Sequence, residues 1–219
     1  MSDKNVEPFE KHTERYEGWF SRNRGAYLSE LDAVRALLPE GDGVEIGVGT
    51  GRFAGPVGIG LGIDPSRAMA VIARNRGIEV VRGVAEALPL RSSSLSTALL
   101  VTTICFVDDP GRAMKEAYRI LKPGGSLIVG FIDRTSPLGR QYMEHRRESV
   151  FYKVARFYSV DDLKAYLTQA GFRRFSFVQT LYGPLPSITA KEPVRKGHGK
   201  GSFVVIRAMK PARRGPAIP

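Results

Sequence analysis

The sequence predicts an α/β fold, a mostly parallel sheet with helices on both faces. Three observations carry this. Short apolar runs alternate with amphipathic helical stretches along most of the chain. One run, Val44 to Val48, passes directly into glycines at alternate positions, Gly47, Gly49 and Gly51. Acidic or small residues close the following apolar runs, where an open parallel sheet binds its ligands.

The elements follow in order. Residues 3–24 place Phe9, Thr13, Tyr16 and Phe20 at helical spacing, which predicts one amphipathic helix, either packed on the domain or acting as a lid. A second helix is expected over about 26–38 and stops at Pro39 and Gly41. After the glycines, Ile59 to Ile63 read as a strand closed by Asp64, and Pro65-Ser66 open a helix that ends at Gly77. Ile78 to Arg82 and Thr97 to Thr103 read as further strands, the latter apolar enough to be central. Asp109-Pro110 supply an N-cap and first-turn proline for a helix ended by Lys122-Pro123-Gly124-Gly125. A strand is expected over 127–132.

Thr135-Ser136-Pro137 open an insert, residues 134–158, rich in aromatics and in Arg140, Arg146, Arg147, Lys153 and Arg156. It reads as a substrate cover or as a helix pair simply packing on the sheet. Its rings suit a flat or apolar acceptor and its cations an anionic one. Ser159 and Asp162 form a capping-box pattern for a helix ending at Gly171, and strands are expected over 174–181 and 202–209. Residues 1–210 read as one domain and 211–219 as a disordered tail.

Bulk properties narrow the classes. A chain of 219 residues, 42% hydrophobic, suits one domain with a proper core. Its single cysteine, Cys105, leaves no internal disulfide and no cysteine-based zinc site, and no metal site is expected. With no signal peptide and no apolar run of the roughly 18 residues that span a bilayer, a soluble cytoplasmic protein is expected. The net charge of +11 is uneven. Residues 1–110 hold 12 Lys and Arg against 15 Asp and Glu, and residues 111–219 hold 21 against 7. A basic half admits nucleic acid or anionic substrates as well as a solvated surface.

Asp64, at a strand end 17 residues after Gly47, can accept both hydroxyls of a ribose or simply cap the next helix. The dinucleotide fingerprint needs its third glycine at the position of Arg52, so the spacing departs from it. Glu45, near the turn, would repel a pyrophosphate but suit an ammonium group. Val44–Ala54 resembles the first motif of the class I S-adenosylmethionine-dependent methyltransferases. Gly62–Ser66 resembles their ribose-binding strand end, and Gly83–Pro89 their adenine-side motif. Phe106–Pro110 and Arg119–Gly125 resemble the small-molecule branch that includes the quinone-ring C-methyltransferases.

The resemblance covers about residues 40–132. It implies a Rossmann-like seven-stranded sheet, its last strand antiparallel, with an N-terminal helical lid over 1–38. It also implies that Gly47, Gly49 and Gly51 meet the methionine part of S-adenosylmethionine, with Glu45 orienting it. Asp64 would then hold the ribose and Pro65 line the adenine. Ala85 and Glu86 would face the adenine edge, and the Thr102 carbonyl would lie near the methionine amine. Tyr16 joins these through the lid.

The sequence departs from the family at Leu95-Ser96, where Phe-Asp is common, and at Thr103-Ile104-Cys105, where a histidine is common. It also lacks the Asn-Pro-Pro-Tyr run of amino-directed nucleic-acid methyltransferases. The expected function is methyl transfer to a small molecule. An RNA methyltransferase or RNA-binding protein using the basic half, and a non-catalytic cofactor-binding subunit, are the alternatives. No catalytic residue is assigned. Tyr16, Tyr142, His145 and Asp133 are the candidate bases, and Cys105 reads as a small core residue rather than a nucleophile.

Overall fold

In a computed structural model, which describes residues 2–212, eight strands form one sheet in the order β3-β2-β1-β4-β5-β8-β6-β7. The strands are β1 (Gly43–Ile46), β2 (Leu61–Asp64), β3 (Glu79–Arg82), β4 (Leu95–Val101), β5 (Leu121–Ile132), β6 (Arg173–Thr180), β7 (Arg195–Lys196) and β8 (Phe203–Met209). β1 to β5 run parallel, and β8 inserts antiparallel between β5 and β6. The expected seven strands are all present. The eighth, β7, is a two-residue edge pairing with Gln179 and Val178, too short to read from sequence. The order reverses between β1 and β4, so their carboxyl ends flank the crevice where such sheets bind ligands.

Period-two alternation builds a core on each face. Val44, Ile46, Ala98, Leu100, Leu127, Val129, Val204 and Ile206 pack toward helices α5 (Pro110–Ile120) and α7 (Val160–Ala170). Leu99, Val101, Ile128 and Val205 pack on the opposite face, toward α3 (Arg24–Leu37) and α4 (Arg67–Asn75).

Four expectations need correction. The N-terminal stretch is two helices, α1 (Asp3–Lys11) and α2 (Thr13–Arg22), because His12 leaves helical geometry at φ −125° and ψ 35°. Pro65 lies outside its helix; Ser66 is the N-cap, its hydroxyl accepting the Met69 N–H. Lys122–Gly125 lie within β5, as a bulge between the pairs Leu95–Leu121 and Thr97–Ser126. The chain turns there without a loop because Gly124 takes φ +84°. The insert contains one helix, α6 (Pro137–Glu144), followed by two single 3₁₀ turns. The Asp109 cap, Pro110 in the first turn and the Ser159–Asp162 capping box stand where expected. Of the tail expected over 211–219, residues 213–219 lie outside the described residues. Among the described residues, no helix is long and apolar enough to cross a membrane.

Candidate active site

β1 ends at Ile46 and the chain turns through Gly47 at φ +72° and Gly49 at φ +52°. A Cβ on Gly47 would stand 2.3 Å from Thr103 Cγ2, and one on Gly49 would stand 3.4 Å from the Tyr16 hydroxyl. Both positions therefore need glycine, one for its neighbour and one for its backbone angle. Asp64 ties this turn to the next helix. Its Oδ2 accepts the Gly49 N–H and its Oδ1 the Ser66 N–H, each at 2.8 Å. Each oxygen keeps a lone pair that a ligand hydroxyl can use. Burial raises the Asp64 carboxyl to about 6. Glu45 lies deeper: it is 1% exposed, its Oε2 accepts the Ala54 N–H at 2.7 Å, and burial raises it to about 8. At the end of β4, Thr102 holds φ +51°, a strained angle for a β-branched residue, and strain of this kind concentrates at functional sites.

These strand ends open on a cavity of about 290 Å³. Of the residues singled out in the sequence, Tyr16, Gly47, Gly49, Asp64, Pro65 and Thr102 line it. Glu45, Gly51, Ala85 and Glu86 do not. Ala85 is in the core, and Glu86 Oε1 accepts the Asp108 N–H at 2.9 Å, tying the loop after β3 to the approach of α5. Among the candidate bases, Tyr16 and Tyr142 line the cavity and are raised, chiefly by burial. His145 is exposed, with Nδ1 against the Gln141 carbonyl. Asp133 holds the start of the insert, accepting from the Thr135 N–H and hydroxyl at 2.7 Å. Cys105 lines the cavity, but burial pushes its thiol up to about 12, which leaves it a poor nucleophile.

Residues of both the N-terminal helices and the insert line this space. Phe9 of α1 packs against Phe106 and Phe151, with ring centroids 4.7 and 5.1 Å apart, and Tyr16 of α2 meets Phe151 at 6.1 Å. Polar latches hold the two helices down. Asn5 donates to the Phe106 carbonyl at 2.8 Å, and Glu10 accepts the Ser66 hydroxyl at 2.6 Å. Glu17 accepts from Thr50 and is paired with Arg52 and Arg76. Burial opposes its charge, yet the bonds from Arg76, Arg52 and Thr50 hold Glu17 down at about 2. The insert's cations point elsewhere. Arg140, Arg146, Arg147, Lys153 and Arg156 are exposed and none lines the cavity, whose only cations among the described residues are Arg15 and Arg22 of α2.

Sequence reasoning missed two acids. Glu17 carries no readable signal, since its partners come from two distant segments, the turn after β1 and the C-terminal end of α4. Glu30 does carry one. It lies on α3 at helical spacing from Ala26, Tyr27, Ala33 and Val34, an acid on a buried stripe. It is 3% exposed and lines the cavity.

The sheet order, the inserted antiparallel strand and a glycine turn answered by an acid at the end of β2 define a Rossmann-like methyltransferase. Comparison with known proteins agrees. Residues 44–129 match the methyltransferase domain family model. A Thermotoga maritima crystal structure, described as an S-adenosylmethionine-dependent methyltransferase and possible histamine N-methyltransferase, is 56% identical. It covers 94% of this chain, is itself 99% covered, and superposes with a TM-score of 0.93. An uncharacterized protein of Methanocaldococcus jannaschii is 41% identical over 92% of this chain and 98% of its own. The malonyl-[acyl-carrier protein] O-methyltransferase of Methylococcus capsulatus is 27% identical over 80% of this chain and 68% of its own. The chain belongs to the class I S-adenosylmethionine-dependent methyltransferases, and its cofactor is S-adenosylmethionine.

Proposed function

We propose that this protein transfers a methyl group from S-adenosylmethionine to a small-molecule acceptor, releasing S-adenosylhomocysteine. The observation that carries the reading is the aromatic-lined cavity continuous with the glycine turn. Gly47, Gly49 and Gly51 form the turn that receives the methionine part, and Asp64 offers its remaining lone pairs to the ribose. Pro65 lies along the base, and Tyr16 closes over Gly49. Glu45 acts from behind the turn, by accepting the Ala54 N–H. Ala85 and Glu86 shape the base end by holding the loop after β3, and Thr102 presents its backbone. Residues 1–210 work as one domain, with 1–38 and 134–158 as its covers.

The cofactor supplies an electrophilic methyl group on a sulfonium, so the protein's part is to align an acceptor and exclude water. The likeness to quinone-ring C-methyltransferases rests on segments with structural duties here. Asp109 caps α5 and Lys122–Gly125 form the β5 bulge, so neither speaks to the acceptor. The RNA reading rests on charge alone, and the cavity is lined mainly by aromatic and apolar side chains rather than by a basic groove.

Two measurements test the proposal. Wild-type protein should bind S-adenosylhomocysteine in a calorimeter, and Asp64→Asn should bind it at least about 10-fold more weakly through loss of charge-assisted bonds to the ribose. Incubation with labelled S-adenosylmethionine, a metabolite extract and RNA should place the label in the small-molecule fraction. Label in RNA would favour the RNA reading, and cofactor binding without any turnover would favour a non-catalytic subunit.

A further inference from the structure

Glu30 is the feature that the cofactor reading leaves unused. It lies on α3, is 3% exposed and lines the cavity, and among the described residues it has neither a hydrogen-bond partner nor an ion-pair partner. A buried carboxylate without a partner is costly, and glutamine would fill the same space without the charge. Rings share this lining with it. Tyr16 of α2 and Tyr142 and Tyr152 of the insert line the same cavity, and after burial the charge of Glu30 is among the causes that raise all three hydroxyls. Tyr142 and Tyr152 pack with centroids 4.6 Å apart, and Phe157 joins them at 5.6 Å from Tyr152. Aromatic faces are electron-rich and favour cations, as a carboxylate does, while an anionic acceptor would be repelled by both.

We propose that Glu30 is the acceptor-binding residue of this cavity, and that the acceptor is an amine whose protonated nitrogen sits against the Glu30 carboxylate within the aromatic cage. This rests on the methyltransferase reading and adds the acceptor's class to it. Glu30 also takes a proton. The ammonium N–H bond breaks, an O–H bond forms on a Glu30 carboxyl oxygen, and the electron pair stays on nitrogen as the lone pair that methyl transfer requires. Burial alone holds Glu30 at about 8, close to what proton exchange with an amine near neutrality needs. Its titratable neighbours Tyr16, Tyr142 and Tyr152 are all raised and stay protonated in this range. Arg15 and Arg22 also line the cavity, from exposed positions.

The test is calorimetry on the full chain saturated with S-adenosylhomocysteine. The probes are 2-phenylethylamine and tryptamine, with 2-phenylethanol and phenylacetate as neutral and anionic counterparts. At least one amine should bind about 10-fold or more tighter than both counterparts, as expected for a desolvated cation held by a carboxylate and rings. Titration in buffers of different ionisation enthalpy should show release of about one proton per amine bound at pH 7, falling toward zero by about pH 9. Glu30→Gln should bind S-adenosylhomocysteine within about twofold of wild type but lose the amine preference and the proton release. Glu30→Asp should keep the release with weaker binding, and it decides the matter if Glu30→Gln melts without cooperativity. Failure of both amines to bind, equal binding of phenylacetate, or unchanged proton release in Glu30→Gln overturns the assignment. Failure of wild type to bind S-adenosylhomocysteine would instead remove the methyltransferase reading.

Discussion

Glu30, Glu45 and Asp64 are each held above the ordinary carboxylate range, Glu30 and Glu45 at about 8 and Asp64 at about 6, with burial the leading cause. A raised folded-state value means that the folded protein binds these protons more tightly than the unfolded chain does. Ligand-free stability should therefore fall as pH rises from about 4, where the unfolded groups titrate, to about 8, and then level off. Thermal melts across that range check this, and Glu30→Gln should flatten the slope. A slope unchanged in the variant would mean that Glu30 is solvated. Gly47→Ala makes a second residue-scale test. The added Cβ meets Thr103 at φ +72°, so the melting temperature should drop by an amount corresponding to roughly 1–3 kcal/mol, and S-adenosylhomocysteine binding should be lost with it. Gly47 and Asp64 were legible in the sequence because a turn and a strand end are local. Glu30 was legible only as an acid on an apolar stripe, since the absence of a partner is a tertiary fact.

Helices α1 and α2 stand over the cavity through side chains that reach three different parts of the fold. The Glu17 latch is the best placed to test as an element. Its lowered value means that its contribution is present above about pH 4.3, the unfolded value, and is lost as pH falls toward 2. Glu17→Ala should release α2 from Thr50, Arg52 and Arg76. Limited trypsin digestion should then cut faster at Arg15 and Arg22, and S-adenosylhomocysteine should dissociate faster. Equal digestion rates with and without the substitution would show that aromatic packing alone holds the lid. The helical spacing of Phe9, Tyr16 and Phe20 was readable, but the break at His12 was not. The break lets Phe9 reach Phe106 while Tyr16 reaches Gly49, a demand set by partners distant in sequence. The bulge at Lys122–Gly125 was missed for a related reason. Pro-Gly-Gly marks a helix end in either case, and only pairing with β4 shows that the chain continues directly as a strand.

At the scale of the whole molecule, β8 joins the parallel half of the sheet to β6, and Phe203 to Ile206 are fully buried on both faces. A chain ending before Phe203 should lose the cooperative thermal transition entirely, since its removal separates β5 from β6 and opens both cores. A surviving transition would show that the parallel half folds alone. By itself the sequence determined the fold class, the glycine turn, Asp64 and hence the methyl donor, because period, capping and turn chemistry act within a few residues. The tertiary structure decided which predicted residues reach the cavity. It set Glu45 and Glu86 behind the wall, turned the insert's arginines outward and left Glu30 facing inward among the rings. Orientation and charge pairing come from elements far apart in the chain, and they are fixed only when the sheet and its covers close together.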